Sequence, residues 1–192
     1  MEIALDTCTD KVSLTIGEKD YFFTYFSLQD RKQSFFIIKI FKKALKDLGI
    51  KPEEIKKYYF TIGPGSFTGI RFGLSFIIGL TEGRKVKFYP INTLEAIALS
   101  SEGVSTVLLK QSQNFYYAGI YEIKKKLKEI LKPWILSEEE LEKIKKGKII
   151  KLEDLKEPLS QIIFKRRNLI EEKRKSIKPL YIRNPYEIPK KL

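Results

Sequence analysis

The 192-residue chain has no histidine and one cysteine, Cys8. Zinc sites of the usual Cys/His kind, Ser/His and Cys/His nucleophilic pairs and an internal disulfide are therefore excluded. General acid or base work would fall to Asp, Glu, Lys or Tyr. Cys8 itself reads as a small buried residue at a strand end. No apolar run approaches the roughly 18 residues of a membrane span, and the start, Met1-Glu2-Ile3-Ala4-Leu5-Asp6, lacks the basic region of a signal peptide. A cytoplasmic protein without a membrane partner is expected.

Hydrophobic residues at 43% and charged residues at 32% are enough for a folded chain with a real core. The net charge of +13 is unevenly spread. Residues 1–123 hold 16 Lys/Arg and 13 Asp/Glu, a balance of +3, whereas residues 124–192 hold 21 and 11, a balance of +10. The basic second part suits contact with nucleic acid or an acidic protein, or equally a solvated lysine-rich surface.

Residues 2–6, 11–17 and 20–27 are β-like runs joined by turns, and they predict an antiparallel meander. A helix over about 32–48 ends at Gly49 and Pro52. A strand at 58–62, a helix at 66–81, a strand near 86–90 and a helix near 93–100 follow. Val104–Leu109, Phe115–Ile123 and Lys126–Leu131 repeat the three-strand pattern, and Ser137-Glu138-Glu139-Glu140 opens another helix. The expectation is an α/β protein of two βββαβα-type lobes, the second degenerate. The first lobe covers residues 1–102 and the shorter basic one 103–192. Pro158, Pro179, Pro185 and Pro189 predict that the last 35 residues run as an extended strand and tail.

Two helices are apolar too far round. At about 100° per residue, Phe36, Ile37, Ile38, Ile40, Phe41, Ala44, Leu45 and Leu48 cover an arc of roughly 200°, twice an ordinary core-facing stripe. In the second helix Ile70, Leu74, Ile77 and Ile78 lie on one side, while Phe72, Phe76 and Leu80 lie almost opposite. Gly69 and Gly73, read as lying on the Phe72 side, predict close approach by another helix, since each costs about 1 kcal/mol relative to alanine. Either both faces are covered within the chain or one docks a second protein.

Before that helix, Gly63, Gly65 and Gly69 stand in GxGxxxG spacing, which matches neither a Walker A loop nor a dinucleotide fingerprint. Ser66 or Thr68 would cap the helix, whose N-terminus would either bind an anion or simply be capped. Asp6 and Thr7 at the first strand end are candidates for a hydrated metal and a phosphate.

Four strings, Ile3-Ala4-Leu5-Asp6-Thr7, Gly63-Pro64-Gly65-Ser66-Phe67-Thr68-Gly69-Ile70-Arg71, Pro90-Ile91-Asn92-Thr93-Leu94 and Pro179-Leu180-Tyr181-Ile182-Arg183-Asn184, closely resemble the TsaB family, also called YeaZ. The resemblance covers residues 1–100 well, thins over 101–175 and returns in the tail. It implies an actin-like, ribonuclease H-like ATPase fold that has lost catalysis. It also implies a partner role beside the paralogue TsaD and the ATPase TsaE, in placing a threonylcarbamoyl group on N6 of adenosine 37 of tRNAs reading codons that begin with adenine. In that family the two helices pack against the paralogue.

The partner surface expected here comprises Phe36, Ile40, Ser66, Phe67, Gly69, Phe72, Gly73, Phe76 and Leu80. Asp6, Thr7 and Gly65 are the expected nucleotide contacts. No cofactor is expected on the isolated chain, with ATP and magnesium at the complex interface, tRNA reached through the complex, and a homodimer when the partner is absent. The chain departs from the family at Gln33, where many members have histidine, and at Lys110-Gln111-Ser112, where many read Asp-Ala-Arg. The alternative is a stand-alone ATPase or sugar-kinase-like enzyme using Asp6, Thr7 and the glycine turn; a peptidase is remote without histidine.

Overall fold

A computed structural model describes residues 1–27, 33–173 and 177–182. The first unit runs β1 (Glu2–Asp6), β2 (Ser13–Glu18), β3 (Tyr21–Phe26), α1 (Gln33–Leu48), β4 (Lys57–Thr61), α2 (Phe67–Thr81), β5 (Lys87–Ile91) and α3 (Thr93–Ala98). The second runs β6 (Gly103–Lys110), β7 (Phe115–Ile123), β8 (Leu127–Ser137), α4 (Glu138–Ile144), β9 (Lys148–Lys151) and α5 (Leu159–Lys165). The βββαβα order recurs, and the second unit lacks a fifth strand. The chain is thus a mixed α/β protein of the expected class.

The first sheet has the order β3-β2-β1-β4-β5 and the second β8-β7-β6-β9. Within each, a meander pairs antiparallel and the later strands join parallel, β4 beside β1, β5 beside β4 and β9 beside β6. Alternation along β1 divides its side chains between two layers. Ile3 and Leu5 join Ile37, Ile70 and Ile77 in the core under α1 and α2. Ala4 faces the opposite layer, with Leu94, Val107, Tyr121 and Phe164.

That opposite layer joins the units by exchange. Helix α3, from the first, packs on β6 and β7, and α5, from the second, packs on β1 and β2. Ser160 ties α5 down, its N–H donating to Ser13 Oγ at 3.2 Å while its hydroxyl lies 2.9 Å from Thr15 Oγ1. Phe164 is fully buried against Phe22, ring centroids 5.4 Å apart.

Helix α5 corrects the reading of residues 158 onward as wholly extended. Pro158 occupies the N-cap, where a missing N–H costs nothing, and Leu159, Ile162, Ile163 and Phe164 provide a helical apolar stripe. Two described points beyond it contact the first unit. The Lys173 N–H donates to Phe88 O at 2.9 Å and the Leu180 N–H to Ile62 O at 2.7 Å.

Candidate partner interface and the glycine turn

The glycine turn lies directly on the end of β1. Gly63 and Gly65 have φ of 105° and 149°, values that side chains resist. A Cβ on Gly65 would sit 2.1 Å from Cys8 O, and the Ser66 N–H donates to that same carbonyl at 2.8 Å. Ser66 Oγ then accepts from the Gly69 N–H at 3.2 Å, capping α2.

Asp6 holds the other side of the contact together. Its Oδ1 accepts from the Cys8 N–H at 3.0 Å and from Thr61 Oγ1 at 2.7 Å, and its Oδ2 accepts from the Thr9 hydroxyl. It is completely buried, and desolvation raises its pKa despite these donors. The Cys8 thiol is pushed up to about 12, by burial first and then by the Asp6 charge, so it is an inert packing group. Thr7 is 2% exposed.

Asp6, Thr7 and Gly65 are the expected nucleotide contacts. The fold does bring the three together, but they close on one another. The Asp6 carboxylate accepts from internal donors, and the Cys8 carbonyl occupies the position a side chain on residue 65 would take. Among the described residues, no three His, Cys, Asp or Glu side chains gather as a metal site, and no helix is long and apolar enough to cross a membrane.

The α2 glycines differ from expectation. Gly69 and Gly73 are both buried, and a Cβ on Gly73 would meet Thr7 Oγ1 at 2.2 Å. The missing side chain of Gly73 therefore admits β1's end, not a second helix. Ile40 is likewise turned inward, only 6% exposed.

The remaining aromatic row spans α1 and α2. Phe41 meets Phe76 edge-on with centroids 5.3 Å apart, so part of each helix's excess apolar arc is covered by the other. Phe36, Phe72, Phe76 and Leu80 are nonetheless only half-buried. Ile38 and Ile78, 37% and 51% exposed, are further exposed apolar residues of α1 and α2 that were not singled out as interface. Phe67 is half-buried, with the Arg71 guanidinium 4.1 Å above its ring and Tyr181 at 5.4 Å.

Tyr181 explains the tail motif, which lays its ring against the start of α2. The Asn92-Thr93-Leu94 string proves to be structural too. Asn92 Oδ1 accepts from the Glu95 N–H at 2.7 Å and Glu95 returns to the Asn92 N–H at 3.0 Å, a capping box that starts α3. Lys110-Gln111-Ser112 forms the β6–β7 turn, where the N–H groups of Gln111 and Ser112 reach Phe115 O. Gln33 opens α1, but its side chain, Arg31, Lys32, Arg183 and Asn184 lie outside the described residues.

The two-lobed architecture with exchanged helices defines an actin-like, ribonuclease H-like protein. The family model described as TsaD, tRNA N6-adenosine threonylcarbamoyltransferase, matches residues 28–169. A TsaB biosynthesis protein of Buchnera aphidicola is 25% identical over 80% of this chain and 85% of its own length. The Haemophilus influenzae TsaB is 32% identical over 50% of this chain, but only 41% of that protein is spanned. A solved Pseudomonas aeruginosa YeaZ matches with a TM-score of 0.65 over 71% of this chain and 67% of its own, at 18% identity. A structure titled as an uncharacterized protein with similarity to peptidase YeaZ from P. aeruginosa reaches 0.72 over 95% and 99%, at 16% identity. The chain belongs to the tRNA N6-adenosine threonylcarbamoyltransferase family and, within it, to the TsaB (YeaZ) group.

Proposed function

We propose that this chain is a non-catalytic subunit of the machinery that places threonylcarbamoyl on N6 of adenosine 37 of tRNAs reading codons that begin with adenine. It binds and supports the catalytic paralogue TsaD in the cytoplasm, beside the ATPase TsaE, and meets tRNA through the complex. The observation that carries this reading is that Phe36, Phe72, Phe76 and Leu80, on the packed pair α1 and α2, stay only half-buried, apolar surface of the kind that docks another protein. The closed glycine turn adds support, because it leaves the chain no evident phosphate cradle of its own. ATP and magnesium then act at the complex interface.

Size-exclusion chromatography of the purified chain with its paralogue tests the reading. A 1:1 species is expected, and Phe72→Asp should weaken it by at least roughly tenfold, since a buried charge without a partner costs well over 1.4 kcal/mol. Failure to co-elute, or a Phe72→Asp variant that binds like the native chain, would overturn it. Titration calorimetry with ATP and magnesium should give no heat of binding for the isolated chain.

A further inference from the structure

The four outer strands of the two sheets are not equally protected. An edge strand offers unpaired N–H and C=O groups, and lysine or proline commonly guards it against pairing with another chain. Edge strand β5 carries Lys87 and Pro90 and is met by the Lys173 N–H at Phe88 O; β8 carries Lys128, Lys132 and Pro133; β9 carries Lys148 and Lys151. Strand β3, the remaining edge, reads Tyr21-Phe22-Phe23-Thr24-Tyr25-Phe26, with neither. Tyr21, Phe23 and Phe26 are 72%, 38% and 44% exposed.

The hydrogen-bonding parity of β3 defines what would fit. Glu18 opposes Tyr21 across the turn, Ile16 opposes Phe23 and Leu14 opposes Tyr25, and the Ser27 N–H donates to Val12 O at 2.9 Å. Alternation in an antiparallel ladder therefore turns the backbone groups of the odd-numbered residues toward β2 and those of Phe22, Thr24 and Phe26 outward. A second β3 related by a two-fold axis through Thr24 meets this pattern. Phe22 then opposes Phe26 of the other copy, Phe23 opposes Tyr25, and Thr24 opposes itself. Every outward group finds an outward partner, both faces match aromatic with aromatic, and no charge opposes a charge.

We propose that β3 is a self-association edge, pairing antiparallel with the β3 of a second copy to form one ten-stranded sheet. The surface is separate from the α1–α2 row and does not depend on the function proposed above. Its size sets its strength. The exposed parts of three aromatic side chains supply on the order of 300 Å² per copy, short of the roughly 800 Å² per partner of a stable interface. The dimer is therefore reversible and micromolar or weaker.

Light scattering and sedimentation of the full chain carrying Phe72→Asp, which removes pairing through the α1–α2 row, from about 5 μM to about 500 μM should show mass rising from 22.5 kDa toward twice that value. In that background Phe23→Lys, which restores a guard at an exposed position, should raise the dissociation constant at least roughly tenfold. Under mild oxidation Thr24→Cys should give a covalent dimer, its two copies lying about 5.5 Å apart, whereas Tyr21→Cys should not. Cys8, 1% exposed, stays out of this reaction. A chain monomeric at every concentration, a dimer that persists in Phe23→Lys, or equal cross-linking through Tyr21→Cys would each overturn the proposal. The cysteine pair decides the matter if Phe23→Lys fails to fold.

Discussion

The two units repeat one order of elements with opposite use of their surfaces. The first sheet is covered on both faces, by α1 and α2 on one side and by α5 on the other, and its strands β3 and β4 are rich in aromatic residues. The second sheet shares the α3–α5 layer, but among the described residues its outer face holds only α4, in a small cluster of Leu108, Ala118 and Leu141. Trp134, 57% exposed, and Ile149, 41% exposed, are left in solvent, and lysines crowd its hairpin and edges. A small lobe can afford this because its stability is drawn from the layer it shares. The first unit concentrates burial and internal polar bonds, and the second concentrates charge.

The shared layer is where that contrast is most easily broken. Phe164→Ala should cost about 3–5 kcal/mol, because its ring fills the space where α5 lies on the first sheet. Urea unfolding should show the midpoint falling, and the second unit should lose protection from hydrogen exchange together with the first. A second unit that stays protected would mean that it stands alone.

Asp6→Ala should cost about 3 kcal/mol, since it strands the Cys8 N–H and the Thr61 and Thr9 hydroxyls in a buried site. Asp6→Asn, which keeps the Oδ1 acceptor for the Cys8 N–H and the Thr61 hydroxyl and turns an amide N–H donor toward the Thr9 hydroxyl oxygen, should lose less than Asp6→Ala, about 1 kcal/mol. If the two variants lose equally in thermal melts, the charge itself, and not the acceptor geometry, holds the turn.

Glu2 bridges the units, accepting from Lys57 Nζ at 2.5 Å and from Arg167 Nε at 2.5 Å. Burial raises its pKa, but the Lys57 and Arg167 hydrogen bonds and charges outweigh that and hold it below the usual glutamate value. A depressed carboxylate binds its proton more readily unfolded, so its stabilisation is present above the ordinary range and is lost as the pH falls through it. Native protein should lose more stability than Glu2→Gln between pH 6 and pH 3 in matched urea titrations. At neutral pH the difference should be under about 1 kcal/mol, because Lys57 is partly in solvent.

Trp134→Ser should change stability by no more than about 0.5 kcal/mol. A large loss would show that the outer face of the second sheet is better covered than α4 accounts for.

Much of this was legible before the fold. Strand positions followed from β-branched and aromatic runs, and α4's start from Ser137 and its trailing glutamates, because these signals act within a few residues. The excess apolar arcs of α1 and α2 were also readable, since helical period alone displays them. The role of Gly73 was not: the wheel assigned it to the Phe72 side as a helix contact, and only the tertiary fold shows that Thr7 takes the gap. Asp6 had the same ambiguity. An aspartate at a strand end suits a ligand or a turn, and its three donors come from positions as far apart as Thr9 and Thr61. Pro158 was read as a break because proline signals both the end of one helix and the start of another.

The sequence by itself determined the element order as far as α4, the repeated three-strand pattern and the motifs that mark the family, because periodicity and turn chemistry are local; β9 and α5 were not read from it. Tertiary structure alone decided that the glycine turn closes on β1, that α3 and α5 are exchanged between the sheets and that β3 is the edge without a guard. Those outcomes depend on which distant segments meet, and burial rewards such contacts without leaving a short-range trace.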